Sequence, residues 1–247
     1  MWKSRRFGAA PAVPTLVPDG LRIYAIGDIH GRADLLEELL LRIDADLEQN
    51  SVADSIQIFL GDYIDRGPKS AGVLEQLIRR GKTHRTLCLK GNHEAYLLDF
   101  LHDPATLRPW GQYGGLTTLL SYGLKPSLNS SEEEQANLAA ELAQAMPPSH
   151  RQFIEALPLS FTSGDFFFVH AGVRPGTPLS RQREDDLLWI RDEFLCHEEP
   201  FEKVVIHGHT PVREPEVREN RINIDTGAYA TGRLTCLRLE RDEISFI

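Results

Sequence analysis

LRIYAIGDIHG, residues 21–31, decides how the rest of this chain is read. A mostly apolar run, 21–26, breaks at Gly27 into a polar cluster bounded by glycines. That is the pattern of a buried strand whose carboxyl end opens into a loop. It returns at 55–60 before Gly61, at 86–89 before Lys90 and Gly91, and at 204–206 before His207. Helical periodicity fills the first two gaps: 34–47 sets Leu35, Leu36, Leu39, Leu40, Ile43 and Leu47 on one stripe, and 70–79 does so with Val73, Leu74, Leu77 and Ile78. Strand, helix, strand, helix, strand predicts an α/β chain with a parallel sheet, whose ligand sites lie beyond the carboxyl ends of its strands. The first three glycine-bounded clusters should therefore open on one rim.

The remaining segments fit around that core. Residues 103–163 interrupt the alternation and read as a helical insertion capping the site: a loop at 110–115 feeding 116–122, a helix over 130–145 with Glu132, Glu133 and Glu134 in its acidic first turn, and a short helix over 149–157. Residues 166–169 form another buried run, entering His170. Beyond Pro211, 221–224, 234–239 and 243–247 alternate like strands. Residues 1–20, with Lys3, Arg5, Arg6 and a run of prolines, read as a loose leader rather than a signal peptide. One domain is expected over 21–247.

Composition narrows the function. At 247 residues, 41% hydrophobic and 26% charged, the chain has an ordinary globular make-up. Its net charge is −9, with no dense basic run outside the amino terminus, which argues against a nucleic-acid groove. An anionic small substrate stays compatible, because charge at a metal site overrides the global sum. No apolar stretch approaches the roughly 18 residues of a membrane span. Cys88, Cys196 and Cys236 are isolated and odd in number, as expected of free thiols in the cytoplasm.

Five motifs carry the chemistry: GDIHG (27–31), GDYIDRG (61–67), GNHE (91–94), HAG (170–172) and HGHTP (207–211). Asp28 and His30, one residue apart at a strand end, point the same way. With Asp62 they can hold one divalent ion, while Asp62, Asn92, His170 and His209 hold another. Two carboxylates then face four positive charges, and the surplus favours a bridging hydroxide and a phosphate group. Oxygen and imidazole donors without thiolate suit manganese, iron or zinc. Arg66 and Arg191 can fork onto phosphate oxygens, although Arg191 alone reads equally as a partner for Asp185, Asp186 or Asp192. His93, beside Asn92, is the candidate proton donor to the leaving group, held by Asp65. His207 shares a face with His209, but the ligand count closes without it, so it is placed behind the ligands.

These motifs resemble the set found in the calcineurin-like metallophosphoesterases, and more narrowly in the bacterial and phage members of the serine/threonine phosphoprotein phosphatase family. The likeness runs from about Arg22 to the carboxyl end and includes LLWIRDE (187–193) and IDTGAY (224–229). It implies an αββα sandwich of two mixed sheets flanked by helices, and a dinuclear centre of manganese or iron/zinc type. It further implies direct attack on a phosphate monoester, with Asp28, His30, Asp62, Asn92, His170 and His209 as metal ligands. Arg66, Asn92, His93 and Arg191 become phosphate binders, and His93 the acid assisted by Asp65. Pro211 stands where the wider superfamily often has a second histidine, as in the phosphoprotein phosphatase branch.

The expected substrate is a phosphorylated protein, at serine or threonine with tyrosine as a further candidate, or a small phosphoester. The alternative is a symmetrical dinucleoside-tetraphosphate hydrolase of the same fold, which GD…RGPKS (61–70) also resembles; Asp65 favours the first reading. A non-catalytic scaffold is the third, and the intact ligand set speaks against it.

Overall fold

The computed structural model describes residues 16–247, so the expected leader lies, over 1–15, outside the described residues. Residues 16–20, assigned to that leader from sequence, are instead tied to the body. Leu16 N donates to Asp165 Oδ2, Val17 N donates to Arg241 O, and the Val17 side chain is buried in the core.

The chain runs β1 (Leu21–Ile26), α1 (Ala33–Gln49), β2 (Asp54–Phe59), α2 (Ser70–Arg80), β3 (Thr86–Cys88) and α3 (Asn92–His102). The insertion follows as α4 (Leu107–Gln112), α5 (Gly115–Ser121), α6 (Glu132–Ala145) and α7 (Pro148–Glu155). Next come β4 (Ser160–Ser163), β5 (Phe166–Val169), α8 (Glu184–Trp189), α9 (Asp192–Leu195) and β6 (Val204–His207). The chain closes with β7 (Glu216–Val217), β8 (Arg221–Asn223), α10 (Ala228–Thr231), β9 (Cys236–Glu240) and β10 (Glu243–Phe246).

Two five-stranded sheets result, ordered β10-β9-β1-β2-β3 and β4-β5-β6-β8-β7. In the first, β1, β2 and β3 are parallel and β9 and β10 antiparallel; in the second, β5, β6 and β8 are parallel and β4 and β7 antiparallel. Period-two alternation sorts the side chains by layer. Ile23, Ala25, Ile56 and Ile58 meet Phe166, Phe168, Ile206 and Ile222 between the sheets. Tyr24, Ile26 and Phe59 face outward under α1, α2 and the insertion, while Phe167, Val169 and Val205 face outward under the segment of α8 and α9. The layers are helix, sheet, sheet, helix. Because the sheets pack face to face with β1, β2, β3, β5 and β6 each ending in a motif, both sets of loops converge at one edge.

The insertion differs from its sequence reading in two places. Residues 110–112, expected as loop, belong to α4, and Trp110 is wholly buried. A Cβ on Gly115 would lie 2.4 Å from the Trp110 ring, so the glycine is what admits the indole beneath α5. Burial of a large aromatic side chain overrides the poor helix propensity of Gly111. Residues 160–163, placed in the helical insertion, form the edge strand β4. The acidic start of α6 is a solvated cap: Ser131 and Glu134 bond reciprocally and the three glutamates are exposed.

Candidate metal centre

The loops leaving β1 and β2 approach backbone to backbone; a Cβ on Gly67 would sit 2.1 Å from His30 O. That closeness, with Gly61 and Gly91 in the same cradle, bends the chain sharply enough to aim side chains inward. Among the described residues, the non-glycine positions with positive φ are His30 (46°), Asp62 (54°), Asp65 (72°), Arg66 (64°), His209 (66°) and Arg241. All but the last lie in this cradle. Each left-handed non-glycine residue costs on the order of 1–3 kcal/mol, and such strain gathers at functional sites.

Asp62 is the centre. Its Oδ1 lies 3.4 Å from His170 Nε2, and its Oδ2 lies 3.4 Å from His30 Nε2 and 3.7 Å from His93 Nε2. The two oxygens therefore face two groups, His30–Asp62–His93 and Asp62–His170–His209, each compact enough to hold a metal ion. In the second, Asn92 Oδ1, His170 Nε2 and His209 Nδ1 lie 2.9–3.1 Å from one another. His170 Nδ1 donates to Leu60 O, so its Nε2 carries a lone pair. Lone pairs of Asn92 and His170 aimed at one point repel unless a cation sits between them.

An orphaned atom points the same way. His30 Nδ1 is bonded to Ile64 O while its buried Nε2, facing Asp62, has no hydrogen-bond partner. Burial lowers the pKa of His30 to about 3 and that of His209 to about 2, and lowers that of His170, keeping all three imidazoles neutral as metal ligands must be. These residues fit a dinuclear centre.

Asp28 stands beside the groups, in neither of them. Both its oxygens accept from His209 N (3.3 and 3.1 Å), and burial, then Asp225 and Asp62, push its carboxyl well above the usual range. His207 is also in neither group; its ring stands edge-on to Phe194, 4.8 Å between centroids.

Next to Asp62 sits a proton-handling pair. His93 Nδ1 donates to Asp65 Oδ2 at 2.6 Å, which leaves Nε2 facing the cradle. Burial opposes a charged His93, but Asp62 and Asp65 raise its pKa. Asp65 is fully buried, and its carboxylate also accepts from Trp110 Nε1 (2.6 Å) and Thr118 Oγ1. The insertion thus grips Asp65. Arg66 Nη2 lies 3.2 Å from His93 Nε2. Arg191 is exposed and its guanidinium has no hydrogen-bond or ion-pair partner among the described residues, since Asp186 is taken by Arg174 and Asp185 by Arg183.

Sequence reasoning left several contributors unassigned. Trp110 falls in the expected loop and Thr118 in the segment that loop feeds; their bonds to Asp65 depend on how the insertion folds back. Glu94, the last letter of GNHE, is fully buried and accepts from the backbone N–H groups of Asp62 (2.9 Å), Tyr63 (2.8 Å) and Gly91 (2.9 Å). It holds the Asp62 loop against the start of α3, whose N-cap is Gly91. Glu94→Gln, which turns one acceptor oxygen into a donor facing those amides, should lower stability by about 1–3 kcal/mol, read as a drop in Tm.

The chain matches the calcineurin-like phosphoesterase family model over residues 21–242. It belongs to that family. Family members use divalent metal ions, and the His/Asp groups around Asp62 are where the described residues could hold them. Relatives bear different names. The chain is 28% identical over 240 residues, 90% of each chain, to an asymmetrical bis(5'-nucleosyl)-tetraphosphatase PrpE of Oceanobacillus iheyensis. It is 28% identical over 224 residues, 88% of this chain and 92% of the other, to serine/threonine-protein phosphatase 1 of Salmonella typhimurium. A crystal structure described as a putative diadenosine tetraphosphatase shares the fold, with a TM-score of 0.63 at 22% identity over 96% of this chain and 95% of that one. No helix among the described residues is long and apolar enough to cross a membrane.

Proposed function

We propose that this metallophosphoesterase hydrolyses phosphate monoesters, with phosphoserine and phosphothreonine residues of proteins as its substrates and two divalent ions, manganese first among the candidates, as its cofactors. Asp62 would serve both ions, one oxygen each, with Asp28 and His30 completing the first and Asn92, His170 and His209 the second. When bound, such ions supply Lewis-acid polarisation of the phosphoryl group and a water of lowered pKa.

The protein's own groups do the rest. Arg66 and Arg191 bind phosphate oxygens and orient the ester. His93 Nε2 gives its proton to the departing alkoxide, while Asp65 fixes the ring's tautomer and favours the charged form. The carrying observation is Asp65: buried, bonded to His93, and secured by Trp110 and Thr118 from a separate segment. A proton donor held that firmly matters most for a poor leaving group such as a serine alkoxide. A nucleotide leaving as an anion depends on it less.

A second reading, cleavage of dinucleoside tetraphosphates, is favoured by the likeness to the PrpE tetraphosphatases. The deciding experiment compares kcat/KM on a phosphoserine peptide and on diadenosine tetraphosphate with manganese-loaded protein, metal content being measured on the same sample. Higher kcat/KM on the peptide is expected; clear preference for the dinucleotide would replace the first reading by the second.

Arg191→Ala tests the phosphate clamp. Losing a hydrogen bond to a charged group costs about 1.5–3 kcal/mol. That is roughly a 10- to 150-fold fall in kcat/KM, expected mainly as a rise in KM, with the metal content unchanged.

A further inference from the structure

IDTGAY is the one motif noted in the sequence that no step above uses. Its loop is firmly built: Gly227 N donates to Asp225 Oδ1 (2.8 Å), Thr231 Oγ1 donates to Thr226 O (2.8 Å), and Arg32 Nη1 donates to Ala228 O (3.0 Å). Together these bonds place Tyr229 at the mouth of the metal centre, 39% exposed.

There the Tyr229 ring meets two functional groups. The Arg66 guanidinium carbon lies over its face, 4.8 Å from the centroid, and the His30 ring stands edge-on at 5.4 Å and 87°. His30 in turn packs edge-on to His93 at 4.7 Å, and His93 faces Arg66. Tyr229, Arg66, His93 and His30 therefore form a closed circuit of contacts.

How Arg66 is held matters for what it can do. Its guanidinium makes no direct ion pair with a carboxylate among the described residues, and Asp28 and Asp225 act on it only through space. An aromatic face attracts a cation through the ring quadrupole without consuming its N–H donors, which radiate in the guanidinium plane. A carboxylate partner would occupy the same fork a phosphate needs. We infer that Tyr229 is a positioning residue that parks the Arg66 guanidinium over the metal centre by its π face, ready for the substrate phosphate. The inference deepens the hydrolase reading and rests on Arg66 as a phosphate binder.

Inorganic phosphate is the direct probe, titrated calorimetrically into the manganese-loaded full chain; this readout does not depend on turnover, so failure of the hydrolase reading would not mimic its result. Tyr229→Ala should weaken phosphate binding about 3- to 30-fold and raise KM for p-nitrophenyl phosphate by a similar factor, with kcat and bound manganese little changed. Tyr229→Phe, which keeps the face and loses only the hydroxyl, should bind as the unaltered protein does. Tyr229→Leu, apolar but without a quadrupole, should stay as weak as alanine. In an Arg66→Ala background, Tyr229→Ala should add nothing further. Unchanged binding in the alanine variant, a leucine variant as good as phenylalanine, or full additivity with Arg66→Ala would each overturn the inference.

Discussion

Asp62→Asn should leave the protein unable to retain either metal ion tightly and should abolish most of its phosphatase activity. The carboxylate presents Oδ1 towards the His170 side and Oδ2 towards the His30 side, so one substitution removes charge from both groups at once. Asparagine keeps the shape, but turns one oxygen into an amide nitrogen that cannot donate a lone pair to a cation. Replacing a partner that only orients a ligand commonly costs 10–100-fold in metal affinity or activity, roughly; a shared ligand should cost more. Elemental analysis of the purified variant and calorimetric manganese titration check this. Two tightly bound ions in Asp62→Asn would remove Asp62 from the centre of the proposal. The side chain also accepts from His93 N at 3.2 Å, so circular dichroism on the same sample should confirm that α3 is intact.

The second large effect separates two substrates rather than two states of the protein. His93→Ala should slow hydrolysis of a phosphoserine peptide by about 10²–10⁴-fold, the usual worth of a general acid. On p-nitrophenyl phosphate the loss should be far smaller, because nitrophenolate departs as a stable anion and needs no proton. The 2.6 Å bond from His93 Nδ1 to Asp65 places the ring for that donation. Equal losses on the two substrates, measured as kcat, would mean that His93 only shapes the cradle.

Much of this was readable along the chain because the information is local. Apolar runs of strand length ending in glycine and a polar cluster gave β1, β2, β5 and β6 nearly to the residue, since burial on both faces demands continuous apolar side chains. The helical stripes gave α1 and α2 for the same reason. The motif residues were legible as metal-ligand types, and the structure brings His30, Asp62, Asn92, His93, His170 and His209 to one cradle.

What escaped the sequence depends on contacts between segments far apart in the chain. Trp110 was read as loop because Gly111 and Gly114–Gly115 signal a turn, and only tertiary burial makes that stretch helical. Its bond to Asp65 joins positions 45 residues apart, and that of Thr118 joins positions 53 apart. No local pattern announces such a pairing. Asp28 adds a contact its motif does not announce: in the folded chain its oxygens accept from His209 N, because the turn at Gly208 brings that amide against it.

By itself, the sequence determined the core strands and helices and the side chains of metal-ligand type at the strand ends, because apolar runs, helical stripes and glycine-bounded clusters follow from backbone geometry and burial a few residues at a time; the two-sheet sandwich came from the likeness to the family. The tertiary structure alone decided which oxygen of Asp62 faces which histidines, what braces Asp65, and where Arg66 rests. Those are relations among side chains from separate loops and from the insertion, and they come into being only when the sheets close face to face and the insertion folds back.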